Sequence, residues 1–335
     1  MNLSSWSRAL ADRWAAAVVA AWVLAAAGGG VGAAEVDGWP TYRGAPDLSG
    51  FRAVSLSDRL APDWQFVAGD EISGPPVYGG GLVFFAVSGG RVFALDRQGR
   101  KVWSRAFTVA GENGEAAEKE EFLAPCLYAD GRVLIGGLSE RLYALDAKSG
   151  RVLWTRSLDG PVQGAANAVG IGGEPHAVLV TQQKGRLHCV RVADGRSRWR
   201  TEPTERCDGS VAVSSNRVVF GNCTSTIFAF SAGGGEPAAR FPLGPGHEIA
   251  AGVALDGAMA FSGNRRGSLV AVDLAAGNLV WKCERSREPL FTTPAIDERN
   301  VVFVSGDGEI VCAERASGRV VWGHKTDGYD ATSPV

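Results

Sequence analysis

Residues 144–154 read ALDAKSGRVLW, and most of the chain can be understood from this pattern. Asp146 opens a tight turn because its carboxylate can bond the backbone amides that follow it. Gly150 supplies a backbone angle that other residues resist. The apolar residues that lead to Trp154 are typical of a β-strand. The pattern therefore predicts a strand that ends near the small residue Ala144, a turn, and a second strand that carries the tryptophan.

The same spacing of four residues between a glycine and a tryptophan recurs along the chain. The pairs are Gly99/Trp103, Gly150/Trp154, Gly195/Trp199, Gly277/Trp281 and Gly318/Trp322. A further copy keeps Gly235 but has Ala239 in place of tryptophan, and Trp64 lies one repeat before Trp103. A period of about 40 to 50 residues built from short strands predicts a propeller or a similar array.

Each repeat contains four short strand-like runs with turn residues between them. In the last repeat the runs are residues 293–297, 301–305, 309–314 and 320–325. Four antiparallel strands per repeat describe a propeller blade, and radial closure protects the sheet edges. Six full repeats cover residues 74–107, 124–158, 164–202, 207–243, 250–284 and 293–325. We expect an all-β propeller of four-stranded antiparallel blades: six full blades, a partial one formed by residues 64–67 and 332–335, and seven or eight in the intact protein.

The AxDxxxGxxxW pattern resembles the tryptophan-docking motif of the PQQ-like, or quinoprotein-type, β-propeller repeat family. This resemblance covers nearly all of residues 60–335. Residues 38–50, GWPTYRGAPDLSG, also resemble the WPxFRGP opening of secreted bacterial members. The family holds both PQQ-dependent enzymes and non-catalytic scaffolds such as the outer-membrane assembly factor BamB, so the resemblance implies the fold and leaves the function open. It implies a structural docking role for Trp64, Trp103, Trp154, Trp199, Trp281 and Trp322.

The first 34 residues indicate export. Arg8 and Arg13 precede the apolar run AAAVVAAWVLAAA at residues 15–27, and small residues follow. The run is too short to span a bilayer comfortably. We expect residues 1–34 to be a cleaved signal peptide, with an uncleaved membrane anchor as the alternative, and therefore a periplasmic or secreted protein with no transmembrane helix in its mature chain. No cysteine lies near the cleavage region, so a lipid anchor is not indicated.

The remaining chain divides into two parts. Residues 35–59 are rich in Pro, Gly and Ser, and we expect an extended segment that fills a groove or covers an edge, although Tyr42 and Arg43 could also have a functional role. Residues 60–335 form the propeller, which we expect to be incomplete at its C-terminal end. A hydrophobic content of 45% suits one large all-β domain, and a formal net charge of −2 argues against nucleic-acid binding by bulk charge.

The positions of two cysteines around a predicted hairpin suggest a disulfide. Cys207 and Cys223 are equally far from Ser215, the centre of a predicted hairpin turn. Residues that are equidistant from a hairpin centre face each other on adjacent strands, and disulfides persist in exported proteins. We expect a Cys207–Cys223 disulfide or, as the alternative, two buried free thiols. The other four cysteines are expected to be structural because the chain has no C-x-x-C pair and no C-x-x-C-H motif.

Polar residues concentrate in the turns between second and third strands and in the loops between repeats. We expect both kinds of loop on one face, together with the acidic insertion TVAGENGEAAEKEEF at residues 108–122. A partly basic rim on this face could bind an anionic ligand or an acidic peptide, and the alternative is scattered solvated charge. The predicted rim residues are Lys184, Arg206, Asn264, Arg265, Arg266, Arg285 and Arg287.

No constellation of catalytic residues or metal ligands is evident from the sequence. We expect an exported, non-catalytic scaffold without a cofactor that binds a protein, a ligand or a cell-envelope component, as BamB-like proteins do. The alternative is a PQQ-dependent oxidoreductase of the alcohol or sugar dehydrogenase type, or a fragment of one, with PQQ and calcium in the channel. PQQ-dependent alcohol dehydrogenases typically carry adjacent cysteines beside the cofactor, and this chain has none. Whether the protein is an enzyme stays open, and the scaffold is favoured.

Overall fold

The computed structural model describes residues 38–57, 59–110, 117–214, 216–326 and 333–335. Within these ranges the chain forms 26 β-strands and no helix. The expected signal peptide lies outside the described residues. So do residues 111–116 of the acidic insertion, Ser215 of the predicted hairpin turn and Thr332.

Six four-stranded antiparallel sheets follow one another along the described chain, and a two-stranded ribbon lies between the first two. Blade 1 consists of β1 (Val77–Gly79), β2 (Leu82–Val87), β3 (Arg91–Leu95) and β4 (Lys101–Ala106), and the ribbon consists of β5 (Thr108–Val109) and β6 (Glu118–Lys119). Blade 2 consists of β7 (Leu127–Ala129), β8 (Arg132–Gly136), β9 (Arg141–Asp146) and β10 (Val152–Ser157). Blade 3 consists of β11 (Asn167–Ile171), β12 (Glu174–Thr181), β13 (Arg186–Arg191) and β14 (Ser197–Arg200).

The second half of the chain repeats this order. Blade 4 consists of β15 (Ala212–Ser214), β16 (Arg217–Gly221), β17 (Thr226–Ser231) and β18 (Pro237–Pro242). Blade 5 consists of β19 (Ala254–Asp256), β20 (Met259–Gly263), β21 (Ser268–Asp273) and β22 (Asn278–Glu284). Blade 6 consists of β23 (Ala295–Ile296), β24 (Asn300–Val304), β25 (Glu309–Glu314) and β26 (Val320–Lys325).

The predicted fold class is confirmed: the chain is an all-β propeller of four-stranded antiparallel blades. In blade 6 the last two strands have the predicted bounds, whereas the first two are shorter or shifted by one residue. Residues 64–67 were expected to form an outer strand but pair with no strand in the described chain. A strand needs a hydrogen-bonded neighbour, and the described residues place none beside them. A partial blade and the number of blades in the intact protein stay predictions.

Each blade has the same irregularity at its docking turn. The ladder between the third and fourth strands shifts register by one residue beside this turn, as between Cys189 and Val190. The shift places a small residue directly opposite the docking position, and such bulges increase the local twist. The opposed pairs are Ala94/Trp103, Ala144/Trp154, Cys189/Trp199, Ala229/Ala239, Ala271/Trp281 and Cys312/Trp322.

The hydrophobic core consists of layers between neighbouring blades. Phe84 of blade 1 and Ile135 of blade 2 share one layer, and Val180 of blade 3 and Phe220 of blade 4 share another. Similar layers join blades 2 and 3, 4 and 5, and 5 and 6. Each blade is therefore stabilised mainly by apolar area that it buries against its neighbours.

Residues 39–49, called here the axial segment, run past the inner strands rather than around the outside of the propeller. This segment starts at β1 of blade 1, where Trp39 pairs with Tyr78, and ends at β23 of blade 6, where the Ser49 carbonyl accepts the Ile296 amide. Thr41, Arg43 and Leu48 are all buried. The segment therefore lies at the axis of the propeller.

Candidate functional site

The docking tryptophans contact the turn of the next blade. The Trp103 indole Nε1 donates a hydrogen bond to the Ala147 carbonyl at 2.9 Å, and its ring covers Gly150. A Cβ atom at position 150 would lie 2.6 Å from the ring, and the φ angle of Gly150 is 67°, in the left-handed region. Both the close approach of the ring and the backbone conformation therefore require glycine. The same bond joins Trp64 to Arg97, Trp154 to Val192, Trp199 to Ala232 and Trp281 to Arg315.

Two positions break this pattern. Trp322 is 47% exposed, and no described turn lies against it. Ala239 cannot reach Gly277, and the space beside Gly277 is open within 4 Å. The contacts therefore link the outer strand of one blade to the next blade everywhere in the described chain except at these two positions.

The two kinds of loop expected on one face do lie together. The turn between the second and third strands of a blade forms backbone hydrogen bonds with the loop that precedes the first strand of that blade. Leu138 donates to the Glu121 carbonyl at 3.0 Å, Cys223 donates to Arg206, and Arg265 donates to Glu248 at 2.9 Å. We call this the insertion face, because residues 117–122, the described second half of the insertion, belong to it.

The structure spreads the predicted rim residues along the insertion face, and several already have acidic partners. Lys184 lies 3.9 Å from Asp159, Arg206 lies 2.9 Å from Asp208, and Arg285 lies 2.7 Å from Glu309. These ion pairs are largely exposed and offset much of the positive charge.

Asn264 is fully buried and is a turn residue rather than a rim residue, because its Oδ1 accepts the amides of Arg266 and Ser268. Arg265 is different, because its guanidinium stacks 5.9 Å from the ring centroid of Phe291, which is 49% exposed. Arg266 and Arg287 are exposed nearby in sequence. The free positive charge of the rim therefore belongs to Arg265, Arg266 and Arg287.

A partly buried charge cluster at blade 3 was not predicted from the sequence. Asp159 lies 2.8 Å from both His188 Nε2 and Arg186 Nη1. Burial raises the pKa of Asp159, but the hydrogen bond from His188 and the nearby positive charges outweigh this effect and lower it. Burial, together with the nearby charges of Arg156 and Arg186, lowers the pKa of His188 despite its bond to Asp159. The hydroxyl of Thr181, which is fully buried, also donates to Asp159, and the cluster fixes the loop at residue 159 to blade 3.

The acidic insertion is anchored by one of its own carboxylates. Glu120 is 1% exposed, and its carboxylate accepts bonds from the Tyr143 hydroxyl at 2.5 Å, from the Ser139 amide at 3.2 Å and from the Ser139 hydroxyl. Glu118 and Glu121 are exposed, whereas Glu112 and Glu115 lie outside the described residues. The insertion is thus not a uniformly solvated charge run.

All six cysteines are free thiols in the structure, which agrees with the alternative expectation, and the Cys207–Cys223 disulfide stays a prediction. The observed register pairs Ser214 with Arg217, so the hairpin centre lies between residues 215 and 216 and not on Ser215. Cys207 and Cys223 lie outside this ladder, although the Cys223 amide still donates to the Arg206 carbonyl at 2.9 Å. Cys223 Sγ instead lies 3.7 Å from Asp208 Oδ2, and Cys207 Sγ donates to the Gly221 carbonyl at 3.1 Å.

PQQ and its calcium ion would need metal-ligating side chains that converge in the channel. In the described ranges no group of three or more His, Cys, Asp and Glu side chains lies close enough to share a metal ion. The axis itself holds residues 39–49, whose side chains Thr41, Arg43 and Leu48 are buried there. The described residues therefore do not fit the cofactor and its metal.

From the sequence, Tyr42 and Arg43 could only be said to have a possible functional role. In the structure the Tyr42 hydroxyl bonds Thr293 Oγ1 at 3.2 Å and Ser333 Oγ at 2.8 Å. Arg43 Nη2 donates to the Pro294 carbonyl at 2.9 Å. Both side chains thus reach across to blade 6, about 250 residues further along the chain.

No helix among the described residues is both long and apolar enough to cross a membrane. The chain matches the family model described as outer membrane protein assembly factor BamB over residues 116–175, 165–238 and 223–334. BamB of Burkholderia pseudomallei (strain K96243) is 25% identical over 286 residues, which are 81% of this chain and 71% of the relative. BamB of Bordetella pertussis (strain Tohama I) is 24% identical over 321 residues, which are 92% of this chain and 78% of the relative.

Solved structures are also similar. The crystal structure of BamB from Moraxella catarrhalis has a TM-score of 0.64 and 17% identity, and the likeness covers 81% of this chain and 82% of that one. At this identity the likeness shows the fold, and the family model shows the membership. The chain belongs to the family described as outer membrane protein assembly factor BamB, whose members resemble PQQ-like repeat propellers.

Proposed function

We propose that the protein is an exported, non-catalytic scaffold that binds a partner protein of the cell envelope through its insertion face. Family membership supports a scaffold of the outer-membrane assembly type. The basic n-region and apolar run of residues 1–34 support export to the periplasm or beyond it.

The exposed pair Arg265–Phe291 is the observation that carries the assignment to this face. Phe291 leaves 49% of its surface in solvent, and Arg265 stacks on it. Aromatic and arginine side chains provide much of the binding energy at protein interfaces. With Arg266 and Arg287 close in sequence, the pair fits a partner segment that carries one apolar side chain and neighbouring carboxylates.

The test is site-specific photocrosslinking in the native host. A photoreactive residue replaces Phe291 in one variant and Leu279 in the control. Leu279 is 44% exposed but follows a docking turn at the opposite face. We expect a crosslink to one outer-membrane assembly protein from position 291 only, and its loss when Arg265→Glu is added. Equal crosslinking from both positions, or none from position 291, would contradict the proposal.

The oxidoreductase alternative has its own measurement. Titration of the purified protein with PQQ and calcium, followed by absorbance and by dye-linked oxidation of alcohols or sugars, should show no saturable binding. Saturable binding together with oxidation would replace the scaffold by an enzyme.

A further inference from the structure

The inner strands of a propeller leave one edge facing the axis. In an antiparallel pair alternate amides point toward the partner strand and away from it. In each short inner strand at least one residue therefore points its N–H into the channel, where an unpaired edge is exposed to solvent or to another chain.

In this protein the axial segment supplies acceptors to these amides. Its carbonyl oxygens lie 2.7 to 2.8 Å from one amide nitrogen in each of five inner strands out of the six described, and in four of them this amide belongs to the middle residue. The pairs are Tyr78 to Trp39, Tyr128 to Pro40, Val213 to Pro46, Leu255 to Asp47 and Ile296 to Ser49. In blade 3 Asn167 serves instead: its Oδ1 accepts the Ala168 amide, and its Nδ2 donates to the Pro46 carbonyl at 2.6 Å.

One side chain anchors the segment. Arg43 is 2% exposed and donates to the carbonyls of Pro294 and Pro334. Gly50 packs against it so closely that a Cβ there would lie 2.2 Å from Arg43 Nη2. Burial lowers the pKa of Arg43 to about 10, so the guanidinium stays charged at neutral pH. Charge-assisted bonds of this kind are stronger than neutral ones, and they are specific for arginine geometry.

Leu48 supplies the apolar contact. It is fully buried in the layer that also holds Ile249 and Val253. The chain between the segment and Trp64 is different in character, since residues 53–57 and 59–63 are exposed. A bound peptide joined to its host by an exposed tether has this arrangement.

We propose that the inner rim of the propeller is a peptide-binding site whose ligand is the chain's own residues 39–49, with Arg43 as the residue that determines specificity. The chemical class of ligand is an extended peptide that offers main-chain carbonyls to successive inner strands and one arginine to the blade 6 carbonyls. While this segment is bound it blocks the axial channel to partners and small molecules. The insertion face stays accessible to them.

The test cuts the tether and asks whether the segment stays. A recognition sequence for a specific protease is inserted after Ser55 in the full-length protein, which is cleaved after folding. Native mass spectrometry then detects the peptide on the propeller. A labelled synthetic peptide of residues 38–55 measures exchange. We expect the wild-type peptide to remain bound and to exchange slowly, and the Arg43→Ala peptide to bind about tenfold or more weakly.

The matched controls use the same chain. Arg59→Ala removes an equal charge from the exposed tether and should leave retention unchanged. Hydrogen exchange of β1, β7, β15, β19 and β23 should rise together when the peptide is removed. Immediate loss of the wild-type peptide, or equal affinity of the Arg43→Ala peptide, would overturn the proposal. This result does not depend on any partner at the insertion face.

Discussion

At the scale of single residues, the docking tryptophan combines three interactions in one side chain. Trp199 is 9% exposed, covers Gly235 and donates its indole N–H to the Ala232 carbonyl at 3.0 Å. Its own strand partner is Cys189, a small residue that leaves room for the ring. The tryptophan therefore links its own blade to the next one through the apolar surface that its ring buries, through the indole hydrogen bond and through the contact with the glycine of the turn.

Trp199→Ala should lower the free energy of unfolding by about 3–5 kcal/mol, because it opens a cavity between blades 3 and 4 and removes the bond to Ala232. Trp322→Ala is the matched control and should cost less than about 1 kcal/mol, because Trp322 is 47% exposed. Urea unfolding followed by circular dichroism measures both. Equal losses in the two variants would show that the contact with the next blade contributes nothing special.

At the scale of elements, the insertion between blades 1 and 2 is held at its end by Glu120. The β5–β6 ribbon alone has two residue pairs, which is too little for independent stability. The carboxylate of Glu120 connects this ribbon to Ser139 and Tyr143 of blade 2. Burial of the Tyr143 hydroxyl, followed by its bond to Glu120, raises the pKa of Tyr143.

Glu120→Ala should release the insertion without unfolding the propeller, because it leaves the Tyr143 hydroxyl and the Ser139 amide unpaired. We expect limited proteolysis within residues 108–119 to speed up by about tenfold or more, since local opening costs less free energy. The neighbouring Glu121→Ala is the control, because that side chain is exposed. Similar cleavage of the two variants would refute the anchoring role.

At the scale of the whole molecule, two sets of contacts act at different ranges. The layers between blades join only neighbours, as in other repeat proteins, and would allow blades to unfold in groups. The axial segment bonds inner strands of non-neighbouring blades, from Tyr78 of blade 1 to Ile296 of blade 6. It therefore couples blades that are not consecutive along the chain.

Leu48→Ala should destabilise the molecule by about 2–5 kcal/mol, because Leu48 is fully buried between the segment and blades 4 and 5. Hydrogen exchange resolved by blade is the measurement. We expect β1 of blade 1 to lose protection along with β15 and β19, since the segment detaches as a unit. If only blades 4 and 5 lost protection, the segment would not couple the ring.

The amino-acid pattern alone determined the blades of this protein. Glycine at the docking turn, tryptophan four residues later and a small residue opposite it are local requirements of one turn, and they recur at a readable period. For the same reason the last two strands of blade 6 were predicted to the residue. The Cys207–Cys223 disulfide stays a prediction, because a hairpin centre must be known to within half a residue before opposed side chains can be named, and the observed centre lies half a residue from Ser215.

Only the tertiary structure decided which residues meet at the axis and on the insertion face. Nothing local distinguishes Glu120 from Glu121, yet one is buried and the other exposed. Nothing near Arg43 in sequence shows that its guanidinium binds the carbonyl of Pro294. These contacts join residues far apart in the chain, and they exist only after the blades curve around one axis and bring every inner strand to the same place. The period of the sequence shows the repeated unit, whereas the arrangement of the blades around one axis creates the sites between units.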